Sequence, residues 1–114
     1  MAMNLKSYVI DRYEIEIFSI DKRGKRTRWG DKMIKLYSKE KNIGQAVFAA
    51  EGENPPEPYY ADEKIYYFAP CSQYQVVLDL LRSVKPVYLA WRPINDPKET
   101  NDGDAVFYTD QIKS

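Results

Sequence analysis

Histidine is absent from the chain, and cysteine occurs once, at Cys71. Without imidazole there is no Ser-His-Asp or Cys-His pair, no histidine metal ligand and no side chain that switches charge unperturbed near neutral pH. A single cysteine excludes an intramolecular disulfide and any CxxC redox or zinc motif. Long apolar runs are missing too. The best are Ile65–Pro70 and Val87–Trp91, far short of the ~20 residues a membrane-spanning helix needs. Met1–Lys6 has no apolar core, so no signal peptide and no membrane partner is expected. The lone thiol is compatible with a cytoplasmic location, which is the default expectation.

What is present supports one folded domain over residues 1–114. Hydrophobic residues make up 44% and aromatics 14% of the 114 residues, too apolar for a disordered chain. Tyrosine supplies ten of these residues and leucine only six, a stock that suits strand faces and contact surfaces. The formal net charge is zero, but it is segregated. Residues 1–42 carry 11 basic and 6 acidic side chains (+5), and residues 43–114 carry 6 and 11 (−5).

Tyr13, Ile15 and Ile17 alternate with Glu14 and Glu16, the period of a half-buried strand. Lys32–Tyr37 and Ile43–Ala50 read as a hairpin around the polar turn Lys39–Asn42. Asn54-Pro55-Pro56-Glu57-Pro58 reads as a surface loop, because proline has no amide to give a sheet. Lys64–Ala69 is apolar on both faces and is expected to be a central strand. Tyr74, Val77, Leu78 and Leu81 recur at helical spacing, which predicts one short helix over 73–82. Ser72 and Gln75 have the spacing of a capping box, Cys71 and Val76 that of a hydrophobic staple, and Val76 and Leu80 would widen the apolar stripe. Pro86–Arg92 and Ala105–Thr109 complete about six strands. The expected fold is α+β and β-rich, with mostly antiparallel strands in a twisted sheet or partly closed barrel; a two-sheet β-sandwich is the alternative.

Lys22, Arg23, Lys25, Arg26, Arg28, Lys32 and Lys35 fall within fourteen residues around Trp29. On a hairpin they would grip phosphates while Trp29 stacks on a base. The same cations would equally serve as a solvated turn that discourages edge pairing. Tyr59, Tyr60, Tyr66, Tyr67, Tyr88, Tyr108 and Trp91 form an aromatic set that would line a ligand cavity or a protein interface. Core packing is the plainer account of it. Asp96, Glu99, Asn101, Asp102 and Asp104 do not match a regular calcium loop. Pro55–Pro58 has PxxP spacing, which a rigid loop also explains. Glu14 and Glu16 share a strand face, whose ordinary environment is solvent. No catalytic residue, metal or cofactor is assigned. The expected function is a non-catalytic cytoplasmic interaction domain that binds a protein partner or a second copy of itself. Single-stranded nucleic acid binding through hairpin 22–35 and a small-ligand β-barrel are the alternatives.

Overall fold

The computed structural model describes residues 6–17, 32–50, 52–93 and 103–109. Their strands divide between two sheets. The first sheet holds β1 (Lys6–Ile10), β7 (Val87–Pro93) and β8 (Gly103–Thr109) in the order β1-β7-β8, all antiparallel. The second holds β2 (Arg12–Ile17), β3 (Lys32–Ser38), β4 (Lys41–Phe48), β5 (Tyr59–Ala61) and β6 (Lys64–Ala69) in the order β2-β3-β4-β6-β5. This corrects the expected single sheet or partly closed barrel of about six strands. There are eight described strands, two sheets and no closed barrel. The described pairing is mostly antiparallel, as expected; β4 and β6 run parallel, Gly44 opposite Ile65 through Phe48 opposite Ala69.

The two sheets meet through the chain itself. Ile10 pairs with Val87 in one sheet, and Arg12 pairs with Tyr37 in the other. Asp11 is the corner between them, and strands that switch sheets at a bend are a known way to turn such corners. The corner is held from both sides of the residue. The Asp11 amide donates to the Tyr37 carbonyl at 3.0 Å, and its Oδ2 accepts the Lys39 amide at 2.8 Å.

Lys39 and Glu40, at φ 53° and 67°, form the two-residue β3–β4 turn; Asp62 and Glu63, at φ 52° and 62°, form the β5–β6 turn. Both turns keep positive φ without glycine, because that backbone hand matches strand twist in a tight hairpin. A register shift at Leu36/Tyr37 lets Ile43 turn inward beside Gly44. Gly44 is required for close approach: a Cβ there would run into the Ile65 carbonyl.

The helix α1 covers Tyr74–Ser83, entered through a 3-10 turn at Cys71–Gln73. The expected capping box does not form. The 3-10 turn satisfies early amides with backbone carbonyls, Gln73 on Pro70 and Tyr74 on Cys71, and Gln75 instead donates to Asp79 at 2.9 Å. Val77, Leu78 and Leu81 are buried, as the stripe predicts. Val76 is 58% exposed and neither widens the stripe nor serves as the expected staple. At 100° per residue it points away from the Tyr74–Leu78 face.

One core joins these layers. Ile34, Leu36, Ile43, Ala46, Phe48 and Ile65 from the five-stranded sheet meet Val77, Leu78 and Leu81 of the helix and Val87, Leu89 and Trp91 of the three-stranded sheet. Among the described residues no polar or charged side chain is fully buried. No described helix is long and apolar enough to cross a membrane.

Candidate functional site

The aromatic set separates into three places. Tyr60, Tyr67 and Trp91 belong to the space between the sheets. Tyr60 stacks on Trp91 at 6.2 Å, and Tyr67 meets Phe107 edge-on at 4.8 Å. Tyr88 and Tyr108 stack at 5.1 Å as cross-strand partners on the opposite, solvent side of the three-stranded sheet. Tyr59 and Tyr66 do the same on the solvent side of the five-stranded sheet, at 4.5 Å and 15°, with Phe68 at 5.9 Å from Tyr59. Strand alternation explains the division: Tyr66 and Tyr67 are neighbours and therefore point to opposite faces. Among the described residues these side chains therefore fall on three separate faces, and the strands form two sheets rather than a closed barrel.

Tyr60 is the most perturbed of the group. Burial, then a hydrogen bond with Tyr8, pushes its hydroxyl up to about 12. Burial also raises Tyr67, and burial with the nearby Tyr59 and Asp62 raises Tyr66. A phenol whose folded-state pKa lies above its unfolded value near 10 stabilises the fold fully below pH 10 and loses that contribution as pH climbs toward 12. An alkaline titration should therefore show a loss on the order of 1 kcal/mol between pH 10 and 12. Tyr60→Phe should flatten that window when urea midpoints are compared; an unchanged slope would place the alkaline sensitivity elsewhere.

Lys22, Arg23, Lys25, Arg26, Arg28 and Trp29 lie outside the described residues. Of the same basic run, Lys32 and Lys35 are described, and strand alternation sends them to opposite faces. Lys32 sits 5.6 Å from the Tyr74 ring, toward the helix. Lys35 pairs with Glu16 at 3.0 Å on the solvent side. Glu14, on that same outer face, accepts from Arg12 at 2.8 Å and from Tyr37 at 3.0 Å. The Arg12 contact, then the Tyr37 hydroxyl, holds its carboxyl below the usual range. Arg12 also lies 4.1 Å from the Tyr37 ring centroid. These carboxylates are thus committed to neighbouring cations rather than to each other.

Cys71 is half-buried in the turn before the helix. Asp104 pairs with Arg92 at 3.4 Å, and the rest of the late acidic cluster lies outside the described residues. Among the described residues no three His, Cys, Asp or Glu side chains gather as a metal site. A surface hollow of about 410 Å³ was not foreseen. It runs between β1 and the β3–β4 turn, lined by Ser7, Tyr8, Val9, Ser38, Lys39, Lys41 and Ile43.

No family model, curated protein or solved structure matches the chain. The functional reading therefore rests on the arrangement of its own side chains. That arrangement offers stacked aromatics facing outward on both sheets and a lysine-rimmed cleft at a sheet edge.

Proposed function

We propose that the chain is a non-catalytic, cytoplasmic interaction domain that binds protein, with a second copy of itself as the first partner to test. The observation that carries this reading is the Tyr59–Tyr66–Phe68 cluster on the solvent side of the five-stranded sheet. Tyr59 is 37% exposed, and the cluster lies away from the core that joins the two sheets. Tyrosine concentrates at contact surfaces because one ring supplies apolar area while its hydroxyl stays solvated. The opposite charges of residues 1–42 and 43–114 favour attraction between copies and would steer their encounter.

The second reading is single-stranded nucleic acid binding, favoured by the seven cations around Trp29. Sedimentation of the purified chain over a concentration and salt series separates the two. The expected result is a mass above the monomer that falls back in high salt and in Tyr59→Ser. A monomer under every condition, with no partner crosslinked through this face, overturns the interaction reading. Oligo-dT binding that declines steeply with salt and disappears on changing Arg23, Arg26 and Arg28 to alanine would establish the second.

A further inference from the structure

The 410 Å³ cleft combines an open sheet edge, an apolar floor and a basic rim. The edge belongs to β1, which pairs with β7 on one side and with no strand on the other among the described residues. Alternate residues of such a strand direct both N–H and C=O away from the sheet. Ser7, Tyr8 and Val9 bring that edge into the cleft wall, Tyr8 and Val9 supply its apolar surface, and the buried Ile43 backs it. Across the cleft stand Lys39 and Lys41, flanking Glu40 in the tight β3–β4 turn. Lys39 fixes its backbone by donating its amide to Asp11, and its ammonium has no ion-pair partner among the described residues. Lys41 reaches Glu63 at 3.4 Å, with both side chains about two-thirds exposed or more (66% and 71%). Exposed pairs of this kind are weak and readily exchanged.

We infer that this cleft receives an extended acidic peptide segment of a partner protein as an added strand on β1, its carboxylates paired with Lys39 and Lys41. Main-chain hydrogen bonds to the edge would hold the segment, and the period of two along a strand would place alternate carboxylates on one side, toward the lysines. Three edge residues accommodate roughly 10 Å of extended chain. The charge rim selects the sign of the peptide, and the residues between the acids point to the opposite face of the added strand.

This inference rests on the interaction reading and adds a location and a partner chemistry to it. The test uses the full ¹⁵N-labelled chain titrated with a synthetic peptide of alternating glutamate and valine, with a lysine–valine peptide and oligo-dT as separate arms. The expected result is amide shifts confined to Ser7–Val9 and Lys39–Ile43. Affinity should fall roughly tenfold or more in the Lys39→Glu, Lys41→Glu double variant and decline with salt. Both positions are on an exposed turn and its flank, so the variant is expected to fold; its unperturbed amide spectrum outside the cleft verifies this. Absent shifts in the cleft, equal binding of the lysine peptide, unchanged affinity of the double variant, or cleft shifts with oligo-dT alone would each overturn the inference. Glutamate-peptide shifts confined to Tyr59, Tyr66 and Phe68 would overturn it while leaving the interaction reading intact.

Discussion

Gly44→Ala should cost the protein about 3–5 kcal/mol, a large share of the roughly 5–15 kcal/mol that holds a domain of this size together. The cause is contact rather than backbone preference alone. β4 and β6 run parallel, with Gly44 directly opposite Ile65, and an alanine Cβ would occupy the place of the Ile65 carbonyl. That oxygen belongs to the strand backbone and cannot rotate aside as a flexible side chain would. To admit the methyl group, β4 and β6 must separate, at the centre of the five-stranded sheet. Gly52 provides the control. It also has positive φ, at 86°, yet a Cβ there meets nothing within 4 Å, so Gly52→Ala should cost only the ~1–2 kcal/mol of left-handed backbone. Urea unfolding of both variants measures the difference. Equal losses would show that conformation, not the β4–β6 approach, sets the requirement at Gly44.

Phe48→Ala should remove a comparable 3–5 kcal/mol by a different route. Phe48 is fully buried and joins two layers of the fold. Its ring meets Tyr74 of the helix edge-on at 5.4 Å and Tyr67 of β6 at 6.3 Å. Truncation opens a cavity beneath the first turn of α1 and takes away both ring contacts, each worth about 0.5–1.5 kcal/mol beyond area burial. The helix should loosen along with the stability, visible as faster amide exchange at Val77 and Leu78. Val76→Ala, on the exposed side of the same helix, should change stability by less than about 0.5 kcal/mol. A small loss at Phe48 would mean that the neighbouring rings collapse into the space.

The elements that could be read from the chain were those whose side chains repeat clearly. Lys64–Ala69 forms the strand expected of it, and Tyr74, Val77, Leu78 and Leu81 mark the helix because their spacing defines one face. β1 escaped because Lys6–Ile10 runs into Asp11 and Arg12 with no glycine or proline to announce a break. β5 escaped because three residues after Pro58 carry too little pattern, and pairing with Lys64–Tyr66 creates the strand. The division into two sheets depends on where Ile10 and Arg12 find partners, Val87 and Tyr37, far along the chain. Local periodicity holds no record of that choice. The same limit applies to surfaces. Tyr66 and Tyr67 are alike as letters, and only register places one outside and the other in the core. Lys39 and Lys41 read as an ordinary polar turn until β1 is placed beside them.

The corner at Asp11 has a consequence for the order in which the molecule is assembled. The five-stranded sheet draws on a continuous stretch, residues 12–69, while the three-stranded sheet joins residues 6–10 to residues 87–109. During synthesis β1 emerges first, yet it waits for β7, so the larger sheet is available as a platform before the smaller one can close. β1 can therefore join its sheet only once β7 has been made. A load applied at the N-terminus would draw on the three-stranded sheet first, with Asp11 the point at which the pull passes from one sheet to the other.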